Sequence, residues 1–255
     1  MEILDSIKTL KKYRNCIKGT VGYVPTMGAL HKGHVSLFLA AKKACDVTIA
    51  SVFVNATQFN DPKDLYNYPK TEAKDLAILS EEGVSAVFLP AYDQIYPDDF
   101  AYEVNEKSLS LELCGKNRPG HFTGVLTVLM KLFLLIRPDK VFMGEKDYQQ
   151  LELARGLVRS FHLNIEIQAC PTIREPDGLA MSSRNKNLSL IQRQQAPLFY
   201  EILSRPGSDE EISEQLVEEG FDIDYVISKH RRRYGAIVIG SGEKRVRLID
   251  NVLVK

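Results

Sequence analysis

Short runs of β-branched and apolar residues alternate with amphipathic stretches through the first two thirds of the chain, and few folds satisfy that alternation. Thr20 to Val24, Val47 to Val54, Ser85 to Leu89, Lys140 to Met143 and Asn164 to Gln168 read as strands. Between them, Thr71 to Glu82 spaces Ala73, Leu76, Ala77 and Leu79 as a helix does and ends at Gly83. Phe122 to Arg137 is a long apolar helix stopped by Pro138, and Asp147 to Phe161 sets Leu151, Ala154, Leu157 and Val158 on one face. Strands separated by helices are the signature of βα units on a parallel sheet, so the expected class is α/β.

The pattern changes near residue 175. A polar loop, EPDGLAMSSRNKNLS, leads into a helix near Leu190 to Leu203 and an acidic helix from Ser208 to Glu219. IDYVIS, GAIVIG and VRLIDNVLV then read as a small antiparallel sheet, which places a first domain at 1–175 and a smaller α+β domain at 176–255. No internal repeat or low-complexity tract occurs.

Composition removes several functional classes. The 255 residues can bury a core without disulfides, and 44% hydrophobic with 26% charged residues is an ordinary globular balance. Lys plus Arg and Asp plus Glu are equal at 33 each, so no global field draws the chain to nucleic acid or to a membrane, and any anion site must be local. Cys16, Cys45, Cys114 and Cys170 form no CxxC or Cys/His cluster, which points to no metal site and to a reducing, cytoplasmic setting. The amino-terminal stretch lacks the apolar core of a signal peptide. The longest apolar run, Val125 to Ile136, is interrupted by Lys131 and reads as a buried helix rather than a membrane span. The basic run Lys229 to Arg233 reads first as a solvated turn and only secondarily as a phosphate contact.

The chemistry concentrates in VPTMGALHKGHVSL, residues 24–37: a strand end, then Gly28, Ala29 and Gly33, then a helix start. Glycines permit close approach of backbone, and orphan amides at a helix start favour negative charge, as in a phosphate cradle. His31 and His34, three apart, face the same way as the helix opens. There is no Walker A loop and no GxGxxG. His31-Lys32-Gly33-His34 resembles the HxGH element of the nucleotidyltransferase superfamily, and Met181-Ser182-Ser183-Arg184 matches in kind the later loop that closes over phosphates there. Read alone, that loop is a helix cap. GEKDYQQ, 144–150, and NATQF, 55–59, follow strands and supply a cation, a carboxylate and several amides at the same sheet edge.

PTMGALHKGH, VNATQF, RPGHFTGVLTV, GEKDYQQL and MSSRN, in this order from about Val24 to Asn187, resemble the pantothenate synthetases. That resemblance implies a Rossmann-like nucleotide domain with a smaller carboxyl-terminal lid, a homodimer, and ATP-dependent joining of pantoate to β-alanine through a pantoyl adenylate. It implies that Met27, Gly28, Ala29, Leu30, His31, Lys32, Gly33 and His34 line the ATP phosphate site. Gly144 and Asp147 would lie by the ribose, Lys146 at the phosphates and the backbone near Ile173 at the adenine, with Glu145 also in the ATP site. Ser182, Ser183 and Arg184 would meet the departing pyrophosphate, with Met181 beside them in the ATP site. Gln58 and Gln150 would hold pantoate with Asn55 nearby, Tyr68, Arg118 and His121 match positions near the site, and His34, His31, Lys146 and Arg184 would carry the catalysis with Mg²⁺ on the phosphates. The chain departs from the family at Ala56, where proline is usual. Two other readings stay open on the HxGH element alone: a transferase that places a nucleotide on a phosphate ester, and a noncatalytic adenine-nucleotide sensor.

Overall fold

The strands β1 (Glu2–Leu4), β2 (Val21–Thr26), β3 (Val47–Val52), β4 (Ala86–Phe88), β5 (Lys140–Gly144) and β6 (Glu166–Cys170) pair in the order β1-β4-β3-β2-β5-β6, every pair parallel. The computed structural model describes residues 1–254. The five expected strands form within a few residues of their expected spans. The sixth, β1, joins the sheet edge through Glu2↔Ala86 and Leu4↔Phe88; only Leu4 of its three residues is buried, too little periodicity to be read beforehand.

Helices cover the sheet as the apolar pattern requires. Val24, Ala50, Val87 and Phe142 pack with Leu37, Phe38 and Ala41 of a helix over Lys32–Ala44 and with Leu79 of a helix over Glu72–Glu81. With Ile7–Cys16 as α1, these two are α2 and α3. Tyr23 is buried on the opposite face, edge-on to Phe133 at 6.4 Å, in the helix α4 (His121–Ile136). Beside β2 the strand order reverses, with β3 and β4 on one side and β5 and β6 on the other. The ladder between β2 and β5 runs only through Gly22↔Lys140 and Tyr23↔Val141, whereas β2 and β3 stay paired to Thr26↔Val52. The two strands therefore part toward their carboxyl ends, and the loops that follow them flank the opening where α/β sheets bind ligands.

By internal contacts the chain divides into one unit of residues 1–145 and 149–170 and another of residues 146–148 together with the chain from Pro171 onward. The second unit carries an antiparallel sheet of β7 (Asp222–Lys229), β8 (Arg232–Ile239) and β9 (Val246–Leu253). Phe199, Leu203, Ile212, Leu216, Ile237 and Leu248 form its core. The helix Tyr148–Ser160, α5, precedes β6 in the chain. The expected helix over Leu190 to Leu203 is two, α6 (Leu190–Gln195) and α7 (Pro197–Leu203), because Pro197 has no N–H to continue the first and suits the opening of the second. In α8 (Asp209–Glu218), Ser208 and Glu211 form a reciprocal capping box.

The basic run is corrected by the structure. His230 and Arg231, at φ of 51° and 62°, make the exposed turn between β7 and β8, as expected. Arg232 and Arg233 are buried at 8% and 3% exposure. Arg233 donates to the carbonyls of Leu203 (3.1 Å), Arg205 (2.8 Å) and Gly207, and its Nε lies 3.1 Å from Asp209 Oδ1. A cation thus satisfies the last carbonyl of α7 and two in the chain that follows it. No described helix is long and apolar enough to cross a membrane.

Arg233→Ala is expected to lower stability by about 3–5 kcal/mol, because it strands buried carbonyls and Asp209, while Arg231→Ala in the exposed turn stays within about 0.5 kcal/mol. Equal small effects in denaturant unfolding would return the whole run to the surface. Burial raises the pKa of the Asp209 carboxyl, but hydrogen bonds from Ser228 and Arg233 outweigh this and hold it below its ordinary value. A depressed folded-state pKa stabilises above the unfolded value, about 3.9 for Asp. The stability gap between wild type and Asp209→Asn should therefore be full above that pH and close as pH falls below it.

Candidate active site

β2 ends at Thr26, whose hydroxyl donates to Ser51 O at 2.7 Å and accepts from Gly28 N at 3.2 Å. Gly28 and Ala29 then take left-handed φ values of 81° and 53°. A Cβ on Gly28 would stand 2.9 Å from the Asp75 carboxylate, so the first of these positions needs glycine. Asp75, in α3 and 2% exposed, accepts from Ala29 N at 2.9 Å and Leu30 N at 2.8 Å, and the Thr71 hydroxyl donates to it at 3.0 Å. Sequence reasoning missed Asp75. The available signal was its place four residues before Leu79, on the buried face of its helix.

His31 caps α2. Its Nδ1 accepts from Gly33 N at 3.1 Å, and His34 Nδ1 accepts from His31 N at 3.3 Å, with the two rings 4.1 Å apart. An Nδ1 that accepts a hydrogen bond leaves the proton of a neutral imidazole on Nε2. Both half-buried rings thus carry an Nε2–H donor in the first turn of a helix, where its dipole favours an anion. The expected cradle of orphan amides is revised: the amides of Gly28, Ala29, Leu30, His31 and Gly33 already have protein acceptors. Those of His31 and Gly33 hold the imidazoles, and the other three hold the turn that precedes them.

The 55–58 segment is fixed from both sides. Asn55, 1% exposed, donates from Nδ2 to Gly124 O at 3.2 Å and to Gln58 Oε1 at 3.0 Å, while its Oδ1 accepts from the hydroxyls of Tyr96 at 2.8 Å and Thr57 at 2.9 Å. Burial pushes the Tyr96 hydroxyl up to about 12, so it remains a donor at any working pH. Since a carbonyl only accepts, the orientation of the Asn55 amide is set, and with it that of Gln58. Gln58 then offers Nε2, which lies 3.2 Å from Met27 Sδ. Arg118 and His121 both bond Gln58 O, at 3.2 and 2.8 Å, and Arg118 donates to His121 Nε2 at 3.0 Å. Tyr68 stacks edge-on to Phe59 at 5.7 Å. A Cβ on Gly124 would stand 2.5 Å from Thr57 O, which is how closely α4 approaches this segment.

β5 ends at Gly144, where nothing lies within 4 Å of the place a Cβ would take, and half-buried Glu145 follows. Of the two glutamines beyond, Gln149 is buried and spends its amide on Leu109 O, Glu112 O and Cys114 N. Half-buried Gln150 is the one that suits a ligand. Of the other expected residues, Met27 to His34, Asn55, Gln58, Gly144 and Glu145 belong to the first unit, and Lys146, Asp147, Ile173 and Met181 to Arg184 to the second. Within that second unit Lys146 Nζ lies 3.8 Å from Asp147, and Met181 N donates to Ile173 O at 2.9 Å. Ser182 caps the short 3₁₀ helix Ser183–Asn187 by accepting from Arg184 N at 3.3 Å. Arg174 pairs with Asp250 through two bonds of 2.6 and 3.0 Å and stacks 3.5 Å from the Tyr200 ring, anchoring the strand-like bridge to Ala180. The first unit thus presents imidazole and amide donors, the second a primary cation, hydroxyls and a guanidinium.

A family model described as pantoate-beta-alanine ligase matches residues 2–253. The chain is 47% identical over 253 residues to the pantothenate synthetase of Bdellovibrio bacteriovorus, covering 99% of each, and 44% identical to that of Legionella pneumophila over the whole of both. Among solved structures, the pantoate-beta-alanine ligase of Francisella tularensis, complexed with beta-gamma ATP and beta-alanine, superposes with a TM-score of 0.93 at 43% identity, over 99% of this chain and 97% of that one. The pantothenate synthetase of Thermus thermophilus gives 0.89 at 37% identity over 99% of both. These likenesses lend nothing to the phosphate-ester transferase and sensor readings. With its parallel sheet, its HxGH helix start and its fixed amide segment, the chain belongs to the pantoate-beta-alanine ligase family.

Proposed function

We propose that this chain condenses pantoate with β-alanine through a pantoyl adenylate, with His31 and His34 as neutral Nε2–H donors to ATP phosphate oxygens. The observation that carries the reading is the reciprocal cap of the two histidines, which fixes both tautomers as donors at a helix start. A carboxylate is a poor electrophile because oxide would have to leave. A pantoate carboxylate oxygen therefore attacks the α-phosphorus, the α–β bridging bond breaks and pyrophosphate departs. The β-alanine amine then attacks the acyl carbon, loses a proton and expels AMP.

The residue roles are those that the family resemblance implies. Gln58, whose amide orientation Asn55 fixes, and Gln150 take the acid. Met27 to His34 line the phosphates, Gly144 and Asp147 the ribose, and the Ile173 backbone the adenine, with Glu145 also in the ATP site. Lys146, Met181, Ser182, Ser183 and Arg184 serve the phosphates and departing pyrophosphate. Donors placed where negative charge develops supply most of such catalysis. Mg²⁺ enters with the triphosphate as part of the substrate, neutralising its charge; Mg²⁺ is ordinarily held by substrate phosphates and one or two carboxylates, without a protein cage. Residues 176–255 serve as the lid that keeps water from the adenylate, and the protein works as a cytoplasmic homodimer, as its family resemblance implies.

Pantoate-dependent exchange of labelled pyrophosphate into ATP, with Mg²⁺ and without β-alanine, tests the two-step route. Exchange is expected, and absence of AMP both with and without β-alanine would overturn the reading. His34→Ala should reduce exchange about a hundredfold or more, with stability lower by only about 1 kcal/mol for the lost cap. Near-normal exchange in that variant would remove His34 from the chemistry. Gly124→Ala, whose methyl would press on Thr57 O, should raise KM for pantoate about tenfold and leave KM for ATP nearly unchanged; an equal rise in both would misplace the acid site.

A further inference from the structure

Lys146 carries its charge on a four-carbon stem, so where its ammonium can act depends on how firmly the loop backbone is held. Within the second unit that backbone is gripped at two points. Asn251 of β9, 5% exposed, donates from Nδ2 to Lys146 O at 3.0 Å. Two residues on, the Tyr148 ring lies beneath the Arg232 guanidinium at 3.8 Å and 6.2 Å from the Tyr234 ring. Arg232 also donates from Nη1 to Asn251 Oδ1, which joins the two grips into one.

Directionality makes the arrangement specific. A guanidinium has only donors, so Asn251 must turn its oxygen toward Arg232 and its NH₂ toward the Lys146 carbonyl. A buried cation stacked on an aromatic ring is not interchangeable with lysine, and here it sets which end of the neighbouring amide faces the loop. We propose that Arg232 and Asn251 are positioning residues for Lys146, holding the 146–148 segment so that its ammonium meets the phosphates of ATP. The proposal rests on the reading of Lys146 as a phosphate contact. It gives Arg232, in the buried part of the basic run, a function other than direct contact with an anion.

The test is a double-mutant cycle on the full chain, read by pyrophosphate exchange, by KM for ATP and for pantoate, by kcat and by Tm. Asn251→Asp keeps the size and the Arg232 partner but sets an acceptor against the Lys146 carbonyl. Exchange is expected to fall about tenfold, as small misplacements near reacting groups cost, with KM for pantoate unchanged and Tm within a few degrees of wild type. In a Lys146→Ala background the same substitution should have no further effect, because residues that act as one unit are non-additive. If Asn251→Asp does not fold, Asn251→Ala is read through the same cycle. Normal kinetics for the Asn251 variant, or a loss that multiplies that of Lys146→Ala, overturns the proposal. Full exchange in Lys146→Ala alone overturns the phosphate role of Lys146, and the proposal with it.

Discussion

A buried carboxylate that receives two backbone amides and a hydroxyl holds the turn on which the first unit's chemistry depends. Asp75 sits 2% exposed and bonds Ala29 N, Leu30 N and Thr71 Oγ1, across 46 residues of sequence in the longest case. Left-handed backbone at a non-glycine such as Ala29 is uncommon and persists where surroundings over-determine it. The carboxylate supplies that determination. The chain leaves the turn at His31 already aimed to begin a helix, with the histidine side chains completing the cap that serine or aspartate usually provides.

The site is otherwise built from hydrogen bonds whose direction is forced. Gly124 O can only accept, so Asn55 must donate to it and to Gln58; Gln58 O can only accept, so His121 must donate from Nδ1 and receive Arg118 at Nε2. Each choice fixes the next, and the result is a set of donors whose directions are settled by the protein itself. Buried polar groups arranged this way reject a ligand that cannot accept, since a lost bond in such a place costs more than a made one returns.

The parallel sheet was legible because its strands are apolar runs bounded by helices of clear period, and the HxGH helix start because glycines, histidines and a strand end stand together in the chain. At the site, what escaped reading shares a cause: the partner is distant in sequence. Asp75 looks like one acid among many in a charged helix, and Tyr96 like one tyrosine among eleven. Arg232 and Arg233 were misread because a run of cations suggests water, yet adjacent residues of a strand point to opposite faces, and both faces here are occupied, one by Asn251 and Tyr148, the other by the chain end of α7. Gln149 and Gln150 could be told apart only by seeing which of them had spent its amide.

The assignment of residues 146–148 to the second unit bears on how such a protein can be recombined. Along the chain these three residues lead from β5 into the first residue of α5, but their hydrogen bond and ring contact lie with β8 and β9. A chimera joined at Cys170 would keep the first unit whole but part residues 146–148 from the rest of the second. Carboxyl-terminal thirds exchanged between relatives should therefore travel with their own tripeptide, which makes positions 148, 232 and 251 a single heritable unit despite the hundred residues between the first and the last.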